Sequence, residues 1–187
     1  MKKIIMLIAI VASLAIVITA AAILYEQFSG DYLPEQISTQ PKETGEAQNV
    51  KAPDFTVYDE QGNEVHLYDF IGKPLVVNFW ASWCGPCQME MPDFQDKYLE
   101  LGDDVQFLMV NMTDGYRETV QIASDFIAGK GYTFPVYYDM DSNAANTYGA
   151  YSLPTTFFID AEGNAIAQAT GAIDAATLQR GIDLISG

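Results

Sequence analysis

Trp83-Cys84-Gly85-Pro86-Cys87 contains the only two cysteines of the chain, three positions apart, directly after the mostly apolar run Leu75-Val76-Val77-Asn78-Phe79-Trp80. A run of this kind reads as a buried strand. The residues after it read as a helix from about Gly85 to Leu101, with Pro86 tolerated in a first turn whose amides need no intrahelical partner. Cys84 therefore stands at a helix start. There the unpaired amides and the helix dipole favour a thiolate, the species that attacks disulfides. Cys87 lies one turn in and can close a ring with it. A strand that delivers a dithiol to a helix N-terminus points to disulfide exchange.

Outward from this segment, the helix carries Met91, Phe94, Tyr98 and Leu101 at helical spacing, and Pro92 is expected to kink it. Upstream, Phe55–Val57 and Val65–Leu67 flank the turn-rich Asp59-Glu60-Gln61-Gly62-Asn63 and read as a hairpin. Downstream, Val105–Val110 reads as a strand and Arg117–Ala128 as a helix burying Val120, Ala123 and Ile127. A short strand is expected at Phe134–Tyr138 and a short helix at Asn143–Tyr148. Thr156–Ile159 and Ala165–Ala169 form a second hairpin, and a last helix is capped by Asp174. This order predicts an α/β fold with a mixed central sheet covered by helices on both faces.

The N-terminus reads as an address. Lys2-Lys3 precedes Ile4–Leu24, 21 residues without a charge, long enough to span a bilayer as a helix. Lysines on the cytoplasmic side place the rest of the chain outside. Residues 1–25 are thus expected to be a retained anchor in the cell membrane, single-pass, the rival being a signal peptide cleaved near Ala20-Ala21-Ala22. Residues 26–51, with Gly30, Pro34, Pro41 and Gly45, read as an extracytoplasmic tether with little fixed structure, and residues 52–187 as the folded domain.

Composition excludes several functions. The chain's formal net charge is −16, and after Tyr25 seven basic residues stand against 25 acidic ones, which repels phosphate backbones and excludes nucleic-acid binding. Two cysteines cannot supply a four-thiolate metal site. The single histidine, His66, falls in a strand far from the cysteines in sequence and reads as a surface or satisfied residue. No metal site and no cofactor beyond a Cys84–Cys87 redox pair are expected.

Together, Val76 through Cys87, Glu90 and Pro92 at their spacing after Cys87, Leu153-Pro154-Thr155-Thr156, and the leading hairpin from Ala52 resemble the thioredoxin superfamily. They resemble more closely its membrane-tethered TlpA/ResA-like branch of thiol-disulfide oxidoreductases, over about Ala52 to Gly187. The resemblance implies a thioredoxin-like fold with an added N-terminal hairpin. It implies that Cys84 attacks, Cys87 resolves, and Pro154 follows a cis bond that presents Leu153 to a client backbone; the plain alternative is a trans proline opening a strand. Trp83, Gly85 and Pro86 would line the client site, with Trp80 in the core. Thioredoxins proper carry a buried aspartate at the position of Asn78, and the branch suggests Glu90 in its place as proton acceptor. The plainer reading of Glu90 is an exposed acid early in a helix, and polar Asp93 favours it. The plainer reading of the cysteines, a structural clip, gains little from so short a ring.

The resemblance further implies disulfide-bearing client proteins, apocytochrome c among them, a membrane electron donor of the CcdA or DsbD kind, and a monomer. An oxidase or isomerase on the same scaffold is the alternative direction. A peroxiredoxin would need P-x-x-x-T-x-x-C around its cysteine, where this chain has Val77 and Ala81. A copper carrier of the Sco type would need wider cysteine spacing and a histidine after the cysteines.

Overall fold

The computed structural model describes residues 50–187, the backbone of Ile37–Thr39 and, within a helix, Thr19. The chain divides into two units, residues 1–35 and 36–187. The expected anchor, apart from Thr19, and most of the expected tether lie outside the described residues. Among the described residues no helix is long and apolar enough to cross a membrane.

The domain is one eight-stranded sheet in the order β1-β8-β7-β4-β5-β6-β2-β3. Its strands are β1 (Ile37–Thr39), β2 (Thr56–Tyr58), β3 (Glu64–His66), β4 (Leu75–Trp80), β5 (Gln106–Asn111), β6 (Val136–Tyr138), β7 (Thr155–Ile159) and β8 (Ala165–Thr170). Four helices cover it: α1 (Gly85–Leu101), α2 (Val120–Lys130), α3 (Asn143–Tyr148) and α4 (Ala175–Ile185). A 3₁₀ turn, Leu67–Phe70, follows β3.

β4 occupies the middle because it is the most continuously apolar strand, and all six of its residues are buried. It runs parallel to β5 and antiparallel to β7. Alternation sends Val76 and Trp80 into one apolar layer with Met91 and Phe94 of α1, Ala123 of α2 and Leu178 and Ile182 of α4. Leu75, Val77 and Phe79 point into the other layer, with Phe55 and Val57 of the hairpin, Leu67 and Ala144 of α3. Full burial of a side chain such as Phe79 or Phe94 contributes roughly 2–3 kcal/mol. Trp80 lies in the core as expected.

Three expectations are corrected. The helix expected from Arg117 starts at Val120. Asp114 Oδ1 accepts the amides of Tyr116, Arg117 and Glu118 and holds them in a turn, and Thr119 caps the helix by accepting from the Ile122 amide. Of the residues expected to be buried on it, Ala123 is fully buried, whereas Val120 and Ile127 are half-buried. Within the stretch read as unstructured tether, Ile37–Thr39 pairs antiparallel with Ala167–Ala169. Val50 and Lys51 also join the fold, through the bond from the Ala165 amide to the Val50 carbonyl and a bridge from Lys51 to Asn164.

Candidate active site

β4 ends at Trp80, and the turn after it places Cys84 as the cap of α1, with extended backbone (φ −82°, ψ 105°). Its Sγ accepts the Cys87 amide at 3.2 Å, an interaction that favours a thiolate once the bond to Cys87 is reduced. The two cysteines form a disulfide with their Cα atoms 5.3 Å apart. They are not equivalent: Cys84 retains 5% exposure and Cys87 none. An incoming disulfide can reach only the first.

Cys84 opens into a groove of about 540 Å³ lined by Trp83, Gly85, Pro86, Met112, Tyr151 and Leu153, with Asp114 and Arg117 on its rim side. The structure therefore brings Trp83, Gly85, Pro86 and Leu153 to one surface beside Cys84, as the sequence predicts. Pro154 itself is buried, follows Leu153 through a cis peptide bond, and gives its carbonyl to the Gly171 amide. Among the described residues no backbone hydrogen bond uses the amide or carbonyl of Leu153. Leu153, in the bend that leads into β7, thus has both backbone groups open to another chain. His66 sits on β3, four strands away from β4, hydrogen-bonded to Asp54 at 3.2 Å.

Glu90 is not the exposed acid that its helical position and Asp93 suggest. Only 2% of it is exposed, one turn beyond Cys87. One carboxylate oxygen accepts Asn78 Nδ2 at 2.8 Å and the other the Ile173 amide at 2.9 Å. Burial pushes its acid constant up from 4.5 to about 7, against the opposing pull of those two hydrogen bonds and with a smaller push from Asp93. Asn78 also donates to Thr156 Oγ1 at 3.0 Å, so a single amide ties α1 to the strand that follows Pro154. The Asn78 carbonyl oxygen is buried without a partner.

Sequence reasoning missed Glu118. It is fully buried and accepts the Ser82 amide at 2.7 Å, the Ser82 hydroxyl at 2.6 Å and Asn111 Nδ2 at 2.7 Å. It thereby pins the turn before Cys84 to the end of β5. Its neighbour Arg117 lies over the Trp83 ring, Cζ 3.7 Å from the centroid, and Trp83 is 42% exposed. A helix start placed at Thr119, a good capping residue, would have put Glu118 in the loop at the carboxyl end of the sheet, where sites of α/β folds gather.

A sheet that delivers a half-sheltered dithiol to a helix start, opposite a cis-proline loop, defines a thioredoxin-like redoxin. The comparisons agree: the chain belongs to the AhpC/TSA family, whose profile matches residues 49–168. Thiol-disulfide oxidoreductase ResA of Geobacillus thermodenitrificans is 34% identical over 145 residues, 77% of this chain and 81% of that protein. ResA of Bacillus subtilis is 32% identical over 135 residues, 72% of this chain and 73% of that protein. Among solved structures, StoA from Bacillus subtilis superposes with a TM-score of 0.60 at 28% identity, over 71% of this chain and 98% of that one. A putative thiol:disulfide interchange protein DsbE from Chlorobium tepidum gives 0.63 at 31% identity, over 76% and 100%.

Proposed function

We propose that this chain is a membrane-tethered thiol-disulfide oxidoreductase that reduces protein disulfides on the extracytoplasmic side. The observation that carries the chemistry is the asymmetry of the pair: Cys84 faces a groove, while Cys87 is sealed one turn below it beside a buried carboxyl near neutrality. In the reduced form Cys84 Sγ, as thiolate, attacks one sulfur of a client disulfide. An S–S bond forms between Cys84 and the client, and the client's other sulfur leaves as thiolate. Cys87 then loses its proton to Glu90 and attacks Cys84 Sγ. The Cys84–Cys87 bond forms and the client's second sulfur is released. Two electrons pass to the client, which takes up two protons, one of them by way of Glu90.

Leu153 holds the client as a short added strand while this happens, with Trp83 beside Cys84. Residues 1–25 keep the domain at the membrane as a monomer. Electrons return through a membrane thiol transporter of the CcdA or DsbD kind. Clients include the haem-site cysteines of apocytochrome c. The run Ile4–Leu24 and the lysines before it support the location.

A Cys87→Ala variant of the full chain, expressed with its membrane, tests this reading. It should accumulate reductant-sensitive adducts joined through Cys84, identifiable by mass spectrometry as clients, and none should form when Cys84 is also replaced. Absence of adducts would remove the reading. Equilibration of the Cys84–Cys87 bond with glutathione fixes the direction: a strongly oxidising potential would make the protein an oxidase.

A further inference from the structure

Among the described residues one cation, Arg117, lines the groove, and Lys130 lies over Phe126 instead. Lys51, Lys73, Lys97 and Arg180 each donate to an oxygen in their own surroundings, away from the groove. Arg117 differs. It is exposed, its guanidinium carbon lies over the Trp83 ring 3.7 Å from the centroid, and it takes part in neither ion pair found among the described residues. A guanidinium stacked by its face keeps the N–H groups of its edge free, in the fork that matches a carboxylate.

The arrangement is held rather than incidental. Glu118, next to Arg117, binds both the amide and the hydroxyl of Ser82, next to Trp83. Two adjacent pairs of residues are thus locked together, and the cation loses little freedom when it engages a partner. The acid that shares the groove, Asp114, has one oxygen committed to three backbone amides, and those bonds, more than Arg117, lower its acid constant. Asp114 therefore stays a carboxylate, and the groove carries one anion and one cation; Arg117 is the group there that can hold a client carboxylate by contact.

We infer that Arg117 is a specificity-determining residue, selecting client segments that carry a carboxylate within two residues of the disulfide Cys84 attacks. The inference rests on the reductase reading and adds a substrate class to it. On a surface of strongly negative charge, one positioned cation beside the reacting sulfur discriminates by contact rather than by long-range attraction.

The test uses pairs of disulfide-bridged peptides identical except for Glu or Gln two residues before, or two residues after, the attacked cysteine. Reduced full-length protein in detergent, itself consumed as the two-electron donor, should react with at least one Glu peptide about tenfold faster, in second-order rate constant, than with its Gln partner, the scale of one charge-assisted contact. Arg117→Gln should bring that ratio to about one, and Arg117→Lys, which keeps charge without the flat fork, should leave it in between. Arg117→Glu should reverse it for peptides carrying Lys at the same place. Equal rates for Glu and Gln peptides with the wild type, or an unchanged ratio in Arg117→Gln, would overturn the inference while leaving the reductase reading intact. Failure to reduce any of the peptides would overturn both.

Discussion

Replacing Glu90 by glutamine tests the buried carboxyl without opening a cavity. Raising an acid constant from 4.5 to about 7 means that the fold holds the neutral form better than the charged one. At 1.36 kcal/mol per unit the difference is about 3 kcal/mol. The sign follows from where the proton sits. Below pH 4.5 folded and unfolded chains both hold it, and stability is at its full value. Between pH 4.5 and 7 the folded state binds more protons than the unfolded one, so stability falls as pH rises, and above pH 7 the loss is complete. The variant has no proton to lose. Its new amide faces Asn78 Nδ2, but Asn78 can turn over so that its unpartnered carbonyl oxygen accepts. Thr156 can then donate to the same oxygen in place of receiving. Glu90→Gln should therefore match the wild type near pH 4 and exceed it by about 3 kcal/mol at pH 8. Urea unfolding of the disulfide-intact domain across that range, followed by tryptophan fluorescence, measures the gap. A gap that does not change with pH would refute the reasoning.

The remaining predictions use the same protein. Glu90→Gln should also shift the thiol titration and slow the release of client from Cys84, read by stopped-flow; unchanged thiol constants and rates would remove its role as proton acceptor. Glu118→Ala strips the partner from the Ser82 amide and from Asn111, and should cost about 2–4 kcal/mol in urea unfolding. Glu118→Gln should cost only about 1 kcal/mol, since the Ser82 hydroxyl can turn to accept; equal costs for the two would refute the assigned network. Gly181→Ala puts a Cβ 2.2 Å from two ring carbons of Phe158, so α4 must lift from β7 at a cost of about 2 kcal/mol; a melting temperature equal to wild type would contradict that packing.

How far the sequence reached depended on the range of the interactions involved. β4, α1 and α3 were legible to the residue from local signals: an unbroken apolar run for β4, and for the two helices the glycines that end them, Gly102 and Gly149. Leu153-Pro154 was legible through resemblance alone, since nothing local makes that bond cis. Glu90 was ambiguous: within one helical turn Asp93 argues for exposure while Cys87 and Phe94 argue for burial, and the partners that settle it are Asn78 twelve residues before it and Ile173 far along the chain. Glu118 was invisible for the same reason, sitting between Arg117 and Thr119 like any surface acid while its partner Ser82 is 36 residues away. β1 escaped because three residues carry no period, and only β8 gives them a ladder.

The two outermost ribbons, Ile37–Thr39 and Glu64–His66, are each three residues long, and the second bears a glutamate and a histidine on its outward-facing positions. Among the described residues, each ledge is only three residues long, a short run of bare amides and carbonyls for another copy to pair with. On the proposed reading, in which Leu153 meets a client backbone, these short outer strands leave the loop next to the sulfur as the place to dock.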